Sequence, residues 1–349
     1  MHLSPDQKRH ATLLALAIGG LNLLGFVLLF TVVAPQHLTL AGGGVFGVGL
    51  GLTAWGLGMR HAFDADHIAA IDNVTRKLRG EGKDTLSVGF FFSLGHSTIV
   101  IALGALVGIG VKGIGGVLTD ESSLLNQFTG TWGPGVAGIF LLLIGVVNLF
   151  ALVNVFKVFR AMRGGQQPAA ELEAQLQDRG VMNRFYRRAT RSITKPSQMY
   201  PVGLMFGLGF DTATEIALLL LAGGAAAGGL PFYAVICLPV LFAAGMTLFD
   251  TLNSVLMNAA YGWAFEQPVR KVFYNLTMTT VTVVSAISVG LVSLGGVLIE
   301  RFGLSGGAWD VVAAIDLAHA GYALVAVFAG IFATSLAVWK FGEIERRWG

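Results

Sequence analysis

Side chains able to bind a metal ion gather in four short stretches of an otherwise apolar chain. The first reads Arg60-His61-Ala62-Phe63-Asp64-Ala65-Asp66-His67-Ile68, with Asp72 close behind. The second is Gly95-His96-Ser97-Thr98, and the third is Asp211-Thr212-Ala213-Thr214-Glu215. The fourth runs Gly245-Met246-Thr247-Leu248-Phe249-Asp250-Thr251-Leu252-Asn253. Imidazole and carboxylate together suit borderline divalent metals such as nickel, cobalt and zinc; carboxylates alone would suit magnesium or calcium. The one cysteine, Cys237, excludes a disulfide framework and a multi-cysteine metal cluster. No phosphate-binding Gly-Lys-Ser/Thr loop occurs, so the chain itself is not expected to hydrolyse nucleotide.

Helical phase groups these donors. At about 100° per residue, His61, Asp64 and His67 share an arc of about 120°, with Asp72 beside His61. Asp66 falls about 100° from His67 on a regular helix. It is therefore an outer partner of the ligands or of Arg60, or else the helix is irregular there, which the glycine-rich run from Gly47 to Gly58 allows. Asp211 and Glu215 are i, i+4 neighbours with Thr214 adjacent. Met246, Asp250, Asn253 and Met257 form one stripe offering a carboxylate, an amide and two thioethers. The plainer alternatives are cross-helix hydrogen bonding for His96, pairing with Arg60 for Asp211, Glu215 and Asp250, and packing for Met246 and Met257. His319, three residues after Asp316, is read as packing or a proton-linked group, and His37 and the Met1-His2 terminus as solvated.

These donors must be positioned by membrane helices. Of the 349 residues, 54% are hydrophobic and 12% charged, about half the charge of a soluble domain. The mean hydropathy is +0.70. The 48 glycines fit close helix packing in lipid. About 20 apolar residues cross a hydrocarbon core, and eight stretches qualify, near 11–33, 43–72, 86–110, 133–158, 201–224, 231–262, 274–299 and 310–339. The first is expected to be retained, being long for a signal peptide and followed by a poor cleavage site at Ala34-Pro35. With the N-terminus inside, all but three of the 23 Lys and Arg fall on the cytoplasmic side. Lys112 and Arg301 lie outside, and Arg60 lies within a span. This bias sets both termini in the cytoplasm and accounts for the basic pI without a nucleic-acid partner. The expectation is an all-α polytopic membrane protein with a single domain over 1–349. A cytoplasmic loop near 159–200 has an acidic first half and a basic second half that faces anionic headgroups.

RHAFDADHI, LGHSTIV, LGFDTATE and GMTLFDT occur in that order. HAFDADH fits the His-x4-Asp-His signature of the nickel/cobalt transporter family, and the other three resemble that family's further signatures, over roughly residues 50 to 265. The resemblance implies a permease of eight helices in the bacterial inner membrane. It would import Ni²⁺ and/or Co²⁺ as transported substrate, with no cofactor and no ATPase subunit. It further implies that His61, Asp64, Asp66 and His67 are central to metal recognition, supported by His96, Asp211, Glu215 and Asp250. Asn253 departs from a frequent second aspartate, an amide oxygen being a donor without charge.

Phe63-Asp64 is echoed by Phe210-Asp211, and Gly95-His96-Ser97 by Gly245-Met246-Thr247, in spans of opposite direction. An inverted repeat with a midplane site would produce this pattern. Cu²⁺ and Zn²⁺ bind most such sites more tightly than cobalt, so selectivity must come from geometry, and bulky Phe63 is a candidate determinant. Export, or transport of Zn²⁺ or Mn²⁺, uses the same residue types. A membrane di-iron enzyme needs more histidines than the seven present. The ligating imidazoles must be neutral, so the initial rate of radiolabelled metal uptake is expected to fall as pH drops through the imidazole range.

Overall fold

The computed structural model describes residues 5–40, 44–108, 124–163, 193–208, 213–227, 229–265, 268–315 and 317–341. Their long elements are α-helices: α1 (Pro5–Val27), α2 (Val48–His61), α3 (Ala65–Gly80), α4 (Val88–Gly108), α5 (Leu124–Arg163), α6 (Met199–Gly207), α7 (Ala213–Ala227), α8 (Phe232–Phe265), α9 (Pro268–Phe302), α10 (Ala308–Ala313) and α11 (Leu317–Phe341). A π-helical stretch and a 3-10 turn extend α1 to Gln36, and extended pairing is limited to one bridge, Thr39 to Val45, among the described residues.

Among the described residues, four stretches are long and apolar enough to cross a membrane: Gln7–Gln36, Val88–Gly108, Phe232–Gly262 and Thr279–Phe302. Shorter apolar segments cover Pro134–Phe150, Ala217–Ala226 and Gly321–Gly330. The stretch expected near 43–72 is two helices rather than one. After His61 the chain makes a tight turn, in which Phe63 N–H bonds Arg60 O at 3.0 Å and Asp64 N–H bonds His61 O at 2.9 Å. Asp64 is extended, at φ −65° and ψ 144°, and its carbonyl receives the Ile68 N–H that opens α3. The arc drawn for a continuous helix therefore does not hold, and Asp72 is not beside His61. The stretch near 201–224 is likewise carried by α6 and α7, with 209–212 outside the described residues.

Helix α8 is the centre of the packing, touching α1, α2, α3, α4, α7 and α9. It runs antiparallel to α4: Gly89 faces Asp250, while Gly104 faces Pro239 and Gly108 faces Phe232. Two crossings share one contact scheme. A Cβ on Gly95 of α4 would lie 2.0 Å from Tyr200 O and 2.8 Å from Leu204 N of α6. One on Gly245 of α8 would lie 2.3 Å from Trp55 O and 3.1 Å from Met59 N of α2. Reciprocally, a Cβ on Gly203 would lie 1.8 Å from Phe92 O, and one on Gly58 would lie 2.0 Å from Phe242 O. The α4–α6 and α8–α2 pairs thus approach backbone to backbone at matching positions, a closeness only glycine permits.

Gly95→Ala or Gly245→Ala is expected to overpack its crossing by about 1–3 kcal/mol, lowering the melting temperature of the detergent-solubilised protein. Gly19→Ala, whose new methyl meets nothing within 4 Å, is expected to melt as wild type.

Candidate metal centre

The turn after α2 brings His61, at the end of one helix, against His67, in the first turn of the next. Their ring centroids are 4.5 Å apart, and His96 of α4 completes a triangle at 4.8 Å and 4.9 Å. All three imidazoles are buried, and each presents a nitrogen within 4.8 Å of the others. His61 Nε2 lies 3.2 Å from His96 Nε2. Two nitrogens bound side by side to one ion at about 2.1 Å would be about 3 Å apart, so this pair already has a chelating separation.

Three buried carboxylates face the triangle from three elements. Asp64, in the turn, accepts a hydrogen bond from His61 Nδ1 at 2.8 Å. Asp250 of α8 takes His67 Nδ1 at 3.3 Å, and Glu215 of α7 places Oε1 2.7 Å from His96 Nε2 and 3.8 Å from His61 Nε2. A histidine whose Nδ1–H is donated to a carboxylate keeps its lone pair on Nε2, the arrangement found around ligating histidines. His61 and His67 are both held so. Thr214 Oγ1 adds a contact to His61 Nδ1 at 3.1 Å. Asp64 Oδ1, Asp250 Oδ1 and His96 Nδ1 are buried without a hydrogen-bond partner. Orphaned polar atoms of this kind cost about 1–3 kcal/mol each, and a dication among the carboxylates would offset their charge. Phe92 packs edge-on to His67 at 4.8 Å and Phe242 tilts over His61 at 5.5 Å, walling the group from lipid.

The remaining expected residues are placed as follows. Asp66 binds its neighbour's backbone, Oδ1 accepting the His67 N–H at 2.8 Å, which accounts for its phase away from the ligands. Phe63 packs against Phe249 at 5.6 Å and Tyr322 at 5.4 Å. Met246 lies in the apolar cluster of Leu241 and Phe242, and Met257 in another with Ile68 and Phe328, so the methionines of the stripe are separated. Asn253 is half-buried with its Nδ2 unpartnered. Asp211 lies outside the described residues. Phe92 and Phe242 were not singled out from sequence. Their signal was spacing, each standing four residues before the matched positions His96 and Met246.

The model of the NicO family, described as high-affinity nickel-transport protein, matches residues 47–338. The chain belongs to this family. It is 52% identical over 331 residues to the nickel transporter NicT of Mycobacterium tuberculosis, covering 95% of this chain and 89% of that one. It is 42% identical over 328 residues to the nickel transporter NixA of Staphylococcus aureus, covering 94% of each. It is also 42% identical over 246 residues to the cobalt transport protein NhlF of Rhodococcus rhodochrous, covering 70% of this chain and 68% of that one. No solved structure matches the chain. Membership in this family makes it a multi-pass membrane transporter and not an enzyme.

His61→Ala and His96→Ala are each expected to weaken Ni²⁺ binding to the solubilised protein by at least about tenfold, as loss of a ligand or its support does. Met246→Leu is expected to leave it within error. Calorimetric titration of the three variants checks this.

Proposed function

We propose that the chain is a permease importing Ni²⁺ and/or Co²⁺ across a bacterial cytoplasmic membrane through the His/Asp site. The observation that carries this reading is the convergence of three buried imidazoles and three carboxylates from α2, α3, α4, α7, α8 and the 62–64 turn. Imidazole-rich sites select borderline metals, and the relatives named above are named for nickel or cobalt. The chain forms one eight-span domain with both termini in the cytoplasm, oriented by the distribution of its basic residues.

Hydrated metal enters from outside and exchanges water for His61 Nε2, His96 Nε2 and Glu215 Oε1, with His67 at hand. Asp64 and Asp250 orient the imidazoles and supply negative charge, and Asp66 adds to the acidic surroundings. Asn253 is a neutral oxygen donor one turn from Asp250. Phe63, held by Phe249 and Tyr322 in the ligand-bearing turn, sets how tightly that turn closes around the ion and so contributes to selectivity. The matched glycine crossings support two halves of inverted topology, with α4 and α6 corresponding to α8 and α2. Such halves exchange access to a midplane site by rocking, which needs no nucleotide.

Cells expressing the chain are expected to accumulate Ni²⁺ or Co²⁺ above vector controls at nanomolar supply, and His61→Ala or His67→Ala to abolish the gain. Faster metal loss from preloaded cells would instead mean export, and uptake indifferent to both substitutions would remove the site from the path.

A further inference from the structure

A second buried polar group lies on α3 between the histidines and that helix's basic end at Lys77 and Arg79. Asp72 is fully buried, and its two oxygens accept hydrogen bonds from Tyr261 of α8 at 2.5 Å and Thr282 of α9 at 2.9 Å. The two hydroxyls lie 3.3 Å apart. On the next turn of α3, Arg76 acts electrostatically on Asp72 and donates to Thr279 of α9. Asn73 accepts from Asn148 of α5 at 2.6 Å, and Lys77 donates to Ile193 O at 2.6 Å. The other side of the metal centre is different in kind. There Leu218, Ala222, Val235, Leu238 and Leu241 form a continuous apolar cluster. Helix α7, which stands where α3 stands in the opposite half, has no ionisable residue after Glu215. Beyond His67, α3 by contrast carries Asp72, Arg76 and Lys77.

Resting on the import reading, we propose that Asp72 is the release-side gate of the metal path. Its carboxylate latches α3 to α8 and α9 while metal is held at the histidines, then serves as a passing oxygen ligand when the latch opens. Three features suit this role. The latch is made by neutral hydroxyls, each worth about 1 kcal/mol net, so a cation can replace them. The donors come from two other helices, so opening it removes one tie from α3 to each. Arg76 offsets the carboxylate charge, keeping the station weak enough to be left, as conduction requires. Ionisable groups within a membrane that are not part of the binding site commonly mark the route.

The test uses the full chain, Ni²⁺ binding in detergent and radioactive Ni²⁺ uptake into proteoliposomes, for Asp72→Asn, Tyr261→Phe and Thr282→Val. A third readout places Thr75→Cys, fully buried on α3, in a Cys237→Ala background and follows labelling by an impermeant maleimide from the release side. Asp72→Asn is expected to bind nickel within about threefold of wild type and to lose at least about tenfold in initial uptake. Tyr261→Phe and Thr282→Val are expected to leave binding unchanged, alter uptake by about fivefold and raise labelling at position 75. Wild-type uptake and labelling in all three variants would overturn the proposal, as would binding that falls in step with uptake. If Asp72→Asn does not fold, the two hydroxyl deletions decide by the same criteria. Failure of the import reading is separately visible, since cells expressing the wild-type chain would then lose preloaded metal faster than vector controls, or His61→Ala would leave uptake intact.

Discussion

Imidazoles and carboxylates withdrawn from water hold one another in place, and this mutual dependence organises the middle of the molecule. A buried carboxylate without a partner costs several kcal/mol, and in a bilayer no solvent relieves it. Asp64, Glu215 and Asp250 each meet an imidazole within 3.3 Å. Because the partners sit on different elements, five helices are tied to one point. Removing any one of these groups strips a hydrogen bond from a buried neighbour.

The geometry depends on a break in the helix. His67 stands six positions after His61, and on an unbroken helix the two would lie about 9 Å apart along the axis and about 120° apart around it. The turn through Ala62, Phe63 and Asp64 folds that rise away, so both rings face His96 at nearly equal distance. It also gives Asp64 an extended backbone from which its carboxylate reaches back to His61. Glycine does the complementary work on the neighbouring helices. Gly58, Gly95, Gly203 and Gly245 remove the side chains that would hold α2 from α8 and α4 from α6. Gly89 and Gly104 seat α4 against α8 as Gly58 seats α2, so both helices that carry His61 and His96 pack on the same element.

Much of this centre was legible in the sequence because polar residues are conspicuous in apolar runs. His61, His67, His96, Glu215 and Asp250 stand out by type alone. Of the repeated pairs, Gly95-His96-Ser97 and Gly245-Met246-Thr247 carry the glycines of the matched crossings. Helical phase, by contrast, misplaced Asp72, since a continuous helix was assumed through a residue that is in fact extended. Phase also joined Met246 and Met257 in one stripe, but α8 is so long that they enter different packing clusters. The partners of Asp72 were not legible at all. Tyr261 and Thr282 are ordinary span residues whose importance depends on which helix lies opposite, and that is a property of tertiary packing.

Gly321 of α11 rests on the turn between α2 and α3, where an added Cβ would stand 1.6 Å from Phe63 O. The last described helix therefore braces a loop that was made more than two hundred residues earlier in the chain. During synthesis the histidines are inserted first and their support arrives last. A nascent chain still on the ribosome lacks the brace, so arrival of the final segment is the step that completes the packing around the histidine cluster.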